Sequence, residues 1–250
     1  MKILIAPSAY KGYFSPTQVA LAMQAGVEEF MRWRRQGSEG GKQTHPDVTE
    51  QIEVTLAPIA DGGDGTIESI HQARGGALHQ LTVPGPLGET VEAQWLVLEG
   101  DRGNAEDDNF FYMQVGPDAP ALMYRELAVV ELASACGIAY LKGDQLRALD
   151  ANTEGAGEVL KKSLENGSRN IVMTVGGSAS TDGGMGILSR LGARFLDSHG
   201  KPLTPCGRNL NQIRQIDLSG LRKLTGNLRL RVATDVENVL LGDRGAAAIF

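Results

Sequence analysis

Apolar residues follow two rhythms along this chain. Residues 3–6 run without polar alternation, which predicts a strand covered on both faces in a parallel sheet. After a loop, Ser15, Pro16, Thr17 and Gln18 supply an N-cap, a proline at the first helical position and a glutamine at the third, the side-chain set of a capping box. Val19, Met23, Val27, Phe30 and Met31 then recur at helical spacing, so the helix is expected to run to about Arg34 with one face on a sheet. Residues 52–57 predict the next strand, and a helix over 67–73 follows the break at 61–66. Residues 78–83 and 91–98 read as two strands joined around Gly85-Pro86-Leu87-Gly88, a hairpin. A strand at 128–132 precedes the clearest unit: a helix over 154–164, a strand over 171–175, a glycine-rich loop over 176–186 and a helix to Leu191. Residues 228–232 alternate and predict a half-exposed strand. Residues 36–50 read as a surface excursion, and 99–118 as an inserted loop or hairpin arm around an apolar island at 110–113.

Composition changes this picture in one respect. The 32 glycines in 250 residues are about 13%, against roughly 7% on average, with neither a collagen register nor a linker tract to explain them. A hydrophobic share of 42% and a charged share of 22% are those of a globular chain, and exclude wholesale disorder and a membrane bundle. The net charge of −6 argues against a nucleic-acid partner, since phosphate neutralisation needs a basic face. The one dense basic run, Arg32-Trp33-Arg34-Arg35, suits a solvated helix C-terminus. Cys136 and Cys206 follow no metal or redox spacing, which fits a reduced cytoplasmic setting, and neither is expected to act as a nucleophile. The apolar run at 3–6 is too brief for a signal-peptide core or a membrane span.

Three segments place glycines around a short set of Asp, Ser and Thr: residues 61–66, residues 176–186, and Asp235 with 242–245. Each follows a strand, which puts all three at one edge of a sheet, where α/β proteins bind ligands. Glycine lets backbone N–H groups approach a phosphate, and a following helix points its positive end at the anion. Carboxylates in the same loops would repel a bare phosphate unless a divalent cation lies between them or one of them orients a hydroxyl nucleophile. No P-loop or Rossmann fingerprint occurs. Ser180 stands where a nucleophile elbow needs its last glycine, and the four histidines form no ligand pair. Lys11, in the loop after the first strand, is placed to meet an anion.

Taken together, these stretches resemble the bacterial glycerate kinases, which phosphorylate D-glycerate with ATP. The resemblance is carried by Ile5-Ala6-Pro7 with Lys11-Gly12, by Pro58-Ile59-Ala60-Asp61-Gly62-Gly63-Asp64-Gly65-Thr66, and by Gly85-Pro86-Leu87-Gly88. It continues through Val130-Glu131-Leu132-Ala133-Ser134, Thr153 with Gly155 and Gly157, and Val175-Gly176-Gly177-Ser178-Ala179 with Thr181-Asp182-Gly183-Gly184. It ends in Asp235-Val236-Glu237-Asn238, Leu240-Leu241-Gly242 and Arg244-Gly245-Ala246-Ala247. The resemblance implies a two-domain α/β fold: a flavodoxin-like domain, incomplete here with its N-terminal half at 1–76, and an inserted mixed α/β domain at 77–250. It implies transfer of the ATP γ-phosphoryl group to a D-glycerate hydroxyl with Mg²⁺, giving 2-phosphoglycerate. On the logic of phosphoryl transfer, Lys11 and Arg244 would meet the carboxylate or phosphates. Asp61, Asp64 and Asp182 would hold metal or orient the hydroxyl, with Asp61 and Asp64 the metal ligands. Ser8, Gly62, Gly63, Gly176, Gly177, Ser178, Thr181, Asp235 and Asn238 would bind substrate or phosphate.

Two departures qualify the resemblance. The family carries an Asp directly after Ala-Pro, where this chain has Ser8, a neutral donor and acceptor in place of an ionised ligand. Relatives also continue beyond the segment matching 246–250 with a long portion that completes the first domain. Two readings follow: a kinase, with that missing portion or a homo-oligomer as partner, or an inactive truncated remnant that keeps only a ligand-binding or interaction role. Neither reading involves a membrane or nucleic acid.

Overall fold

The computed structural model describes residues 1–10, 13–38, 52–99, 111–113, 122–124, 126–234 and 236–249. The chain opens with β1 (Lys2–Ile5), α1 (Pro16–Ser38) and β2 (Glu53–Leu56), and β1 and β2 pair in parallel as a two-stranded sheet of their own. The capping box forms as the sequence predicts: Gln18 N donates to Ser15 Oγ at 3.3 Å, and Ser15 N donates back to Gln18 Oε1 at 2.9 Å. α1 runs to Ser38, one turn past the predicted end, so Arg32 and Arg34 lie within the helix and the Arg34 guanidinium stacks 5.7 Å from the Phe30 ring centre.

Next come α2 (Thr66–Arg74), β3 (Ala77–Pro84), β4 (Thr90–Glu99), β5 (Phe111–Met113), β6 (Leu122–Tyr124) and β7 (Glu126–Glu131). They are followed by α3 (Ala133–Cys136), α4 (Glu154–Glu165), β8 (Asn170–Thr174), α5 (Met185–Arg190), β9 (Arg194–Leu196), β10 (Gln215–Asp217), α6 (Ser219–Thr225), β11 (Arg229–Ala233) and α7 (Ala246–Ile249). The large sheet has the order β11-β8-β7-β4-β3. β11, β8 and β7 are parallel, because helices cross over between them, while β4 and β3 run antiparallel through a tight turn that Gly88 closes at φ +94°. β5 and β6 pair antiparallel, the hairpin arm expected around the apolar island; the rest of the arm lies outside the described residues.

One face of the sheet packs Val83, Ala93, Trp95, Val130, Ile171 and Met173 against Ala156, Val159, Leu160 and Leu164 of α4. Burying each large aliphatic side chain there contributes about 1.5–3 kcal/mol. α4 tolerates two glycines because a Cβ on Gly157 would stand 2.8 Å from Ile187 Cα, and one on Gly155 would strike the Pro84 carbonyl. The helix thereby comes close enough to α5 and β3 to offset the roughly 0.5–1 kcal/mol that each helical glycine costs. The other face packs Leu96, Leu98 and Val129 against Ile67 and Ile70 of α2. Among the described residues, no helix is long and apolar enough to cross a membrane.

The expectation that three glycine-rich loops share one sheet edge needs correction. The loop after β2 leaves the small sheet, whereas the loop after β8 leaves the large one. Sequence rhythm identifies strands but not their partners, and among the described residues β2 pairs with β1 alone.

Candidate functional site

The two loops nevertheless meet. Gly176 N donates to Gly62 O at 3.0 Å, and a Cβ on Gly176 would stand 2.8 Å from Gly63 N. No side chain fits between the loops, so glycine at 176 sets their spacing. Gly177 follows at φ +72°, where only glycine sits without strain, and a Cβ there would lie 3.5 Å from an Asp64 carboxylate oxygen. The Asp61–Thr66 segment therefore presents Asp64 directly to the turn at 176–178.

Within the first loop, Asp61 Oδ1 accepts the Gly63 N–H at 3.1 Å, folding the carboxylate back on its own turn. Burial and the neighbouring Asp61 charge both push the Asp64 carboxyl above its usual range. Asp61 and Asp64 are thus the two carboxylates of this loop that could hold a divalent cation. Among the described residues no group of three or more His, Cys, Asp or Glu is arranged to hold a metal.

The loop after β8 is held differently. Ile138 N donates to Gly177 O at 2.8 Å and Ala179 N donates to Cys136 O at 3.0 Å, so the segment after β7 grips both sides of Ser178. Ser178 Oγ accepts the Ser180 N–H at 3.2 Å, which turns its hydroxyl along the loop. Neither Gly177 N nor Ser178 N donates to an acceptor among the described residues. Thr181 is exposed and anchors to Ala148 O through both its N–H and its hydroxyl, at 3.2 and 3.1 Å.

Asp182 has a different place from the open carboxylates. It is 1% exposed; Oδ2 accepts Thr153 N at 2.9 Å, Thr153 Oγ1 at 2.8 Å and Gly186 N at 3.0 Å, and Oδ1 accepts Gly184 N at 3.0 Å. Those four bonds fill a carboxylate's acceptor sites. They tie the start of α5 to the start of α4, which makes Asp182 a structural cap in a position where the sequence suggests a metal or hydroxyl partner.

Sequence reasoning missed Glu131. It ends β7 as the buried one of that strand's two carboxylates, 4% exposed where Glu126 at the other end is exposed, and its Oε1 accepts Gly65 N at 3.2 Å while Oε2 accepts Ile67 N at 2.9 Å. Burial pushes its pKa up to about 7, and the Asp64 charge adds to the rise, against the lowering effect of those amides. Tyr140 lies beside the same group: its hydroxyl donates to Ser134 O at 2.8 Å, and burial with the Asp64 and Glu131 charges raises its pKa. The signal for Glu131 was a charge at the end of the apolar run Leu127-Ala128-Val129-Val130. Cys136 is buried in the core, where burial pushes its thiol up to about 12 and keeps it from the thiolate form a nucleophile needs.

Behind the first loop lies a cavity of about 510 Å³ with Asp61, Thr66, Arg74, Val129, Thr174 and Thr234 in its lining. Of the remaining predicted residues, Ser8 is exposed in the segment after β1, which reaches the 57–61 stretch through Ile59 N donating to Pro7 O at 2.9 Å. Asn238 and Arg244 are exposed, and Asn238 Nδ2 donates to Arg244 O at 3.4 Å. Lys11 and Asp235 lie outside the described residues.

Comparison with known proteins bears on this arrangement. The model of the glycerate kinase family matches residues 3–250. A glycerate 2-kinase of Escherichia coli K12 is 34% identical over 250 residues, covering 100% of this chain and 55% of that protein, and a glycerate kinase of Bacillus subtilis 168 is 33% identical with 54% of its length covered. A crystal structure from Salmonella typhimurium LT2 named for glycerate kinase 2 superposes with a TM-score of 0.66 at 32% identity, over 100% of this chain and 56% of that one. The chain thus spans about half the length of these relatives.

Proposed function

This chain belongs to the glycerate kinase family, and from that premise we propose that it serves transfer of the ATP γ-phosphoryl group to a hydroxyl of D-glycerate, giving 2-phosphoglycerate with Mg²⁺. One observation carries the reading: Gly176 N bonds Gly62 O at 3.0 Å, which sets an acidic loop against a turn whose amides at 177 and 178 have no acceptor among the described residues. Phosphoryl transfer asks for that combination, because the protein's part is to position the reactants and neutralise charge. Asp61 and Asp64 would hold the Mg²⁺, which when bound screens the phosphates from the carboxylates. The Gly177 and Ser178 amides, with the Ser178 hydroxyl, would face phosphate oxygens. Lys11 and Arg244 would offset the anionic charge of nucleotide and glycerate. Asp182 is left the task of holding the 176–186 loop in shape.

The test is a coupled ADP-release assay with D-glycerate and Mg-ATP, run on this chain alone and again with the polypeptide matching the uncovered part of the Escherichia coli relative. Turnover that needs both glycerate and Mg²⁺ supports the reading, and phosphorus NMR of the product separates 2- from 3-phosphorylation. Nucleotide binding without turnover in either arm supports the remnant reading instead. A panel of small hydroxy acids shows whether D-glycerate is preferred.

A further inference from the structure

The C-terminal end of β7 is the common reference for both halves of the site. Its side chain at Glu131 reaches one loop through Gly65 N and Ile67 N, and the backbone just beyond it, at Cys136 and Ile138, reaches the other through Ala179 N and Gly177 O. The second grip is made of backbone bonds and cannot be altered by a side chain. The first depends entirely on one carboxylate. We propose that Glu131 is a positioning residue of this site: by capping α2 from the end of β7, it fixes where the Asp61–Asp64 carboxylates stand relative to the Gly177–Ser178 turn.

Three features separate this role from simple support of the fold. A buried carboxylate at a strand end opposes stability by its desolvation, so an apolar residue would serve packing better. α2 already buries Ile67 against Leu96, Leu98 and Val129, and this packing needs no help from Glu131 to keep the helix on the sheet. Thr174, cross-strand from Glu131, is buried with no hydrogen-bond partner for its hydroxyl among the described residues, so this neighbour does not duplicate the grip on the loop. Glu131 touches neither substrate nor metal in this scheme; it acts through the loop.

The inference rests on the kinase reading for its consequence but not for its geometry, and the experiment separates the two. The variants are E131Q, which keeps the volume but offers one acceptor where two are needed, and E131L, which removes the acceptors and the buried charge together, so that one folds if the other does not. In either folded variant, amide exchange at residues 65–67 rises at least tenfold while that of β8 is unchanged. The Mg²⁺ concentration for half-maximal turnover rises about tenfold, with KM for D-glycerate within twofold of the unsubstituted chain. If the unsubstituted chain shows no turnover either alone or with the added polypeptide, the kinase reading fails, and the inference is read from Mn²⁺-ADP binding, which should weaken about tenfold in the variants. Unchanged exchange at 65–67, unchanged metal dependence in a folded variant, or no Mn²⁺-ADP binding by the unsubstituted chain each overturns it.

Discussion

Replacing Asp182 by alanine gives the sharpest prediction. The substitution removes the acceptor for three backbone N–H groups, those of Thr153, Gly184 and Gly186, and for the Thr153 hydroxyl, at a site 1% exposed. Each buried donor left without a partner costs about 1–3 kcal/mol. The four costs do not add in full, because water enters the space left by the carboxylate, and the Thr153 oxygen continues to accept Ile187 N at 3.1 Å. The expected loss is about 3–5 kcal/mol, in the range found when a buried polar network is broken, and a large part of a total stability of about 5–15 kcal/mol. For a chain of this size it lowers the melting temperature by about 6–20 °C. D182N keeps one oxygen for Thr153 N and Gly186 N but turns an NH₂ toward another donor, so about 1–3 kcal/mol is expected.

Urea denaturation followed by far-UV circular dichroism measures both losses. Amide exchange locates them, and the loosened region should be the joined starts of α4 and α5, with β1 and β2 unaffected. A D182A protein within about 1 kcal/mol of the unsubstituted chain would show that the four hydrogen bonds do not carry the structural weight given them here. A D182N protein of unchanged stability and no turnover would return Asp182 to the catalytic part that the sequence suggests.

Two further outcomes follow from the same geometry. G176A should keep the large sheet but force the loops apart, since its Cβ would lie 2.8 Å from Gly63 N; turnover or nucleotide affinity measured on the folded variant should fall at least tenfold, and an unchanged value would show that loop spacing is not set there. Glu131 should make stability pH-dependent: its pKa is raised from 4.5 to about 7, so the folded state holds the extra proton, and its contribution is full below about pH 4.5 and lost as pH rises through 7. Between pH 5 and 8 the unsubstituted chain should lose about 2–3 kcal/mol relative to E131Q, measured by urea melts at each pH, and equal slopes would contradict the assigned burial.

Much of the fold is legible because its elements carry local signals. The capping box at Ser15 and Gln18 forms bond for bond, the Gly85–Gly88 turn closes β3 onto β4, and the alternation at 228–232 marks β11 as the edge strand it is. What was not legible depends on contacts far apart in sequence. Asp182 meets Thr153, 29 residues away, and Glu131 meets Gly65, 66 residues away, so neither could be told from a solvent-facing carboxylate by spacing alone. The pairing of β2 with β1 rather than with the large sheet is likewise a tertiary choice: both pairings are parallel, but β1 leaves Leu4 exposed instead of being covered on both faces as its apolar run suggests, whereas β8 buries Ile171 through Thr174. The glycine excess is only partly a matter of ligand loops, since Gly155 and Gly157 serve close helix packing.

Glu131 and Asp182 also change how the site can meet an anion. The sequence suggests that the helices after the glycine-rich loops direct their positive ends at phosphate, but α2 gives Gly65 N and Ile67 N to Glu131, and α5 gives Gly184 N and Gly186 N to Asp182. A phosphate at either helix start would have to displace a buried carboxylate and leave that carboxylate unpaired, which costs more than the helix dipole returns, about 0.3–1 kcal/mol at an exposed terminus. The open amides belong instead to Gly177 and Ser178, in a turn that begins no helix and is held from outside by Cys136 and Ile138. On the proposed reading, charge neutralisation there would come from a cation held by Asp61 and Asp64, on the loop that Glu131 restrains, together with Lys11 and Arg244. The buried acids thus take the two helix starts out of contact with an anion and, among the described residues, leave the proposed chemistry to the place where the acidic loop and the Gly177–Ser178 amides meet.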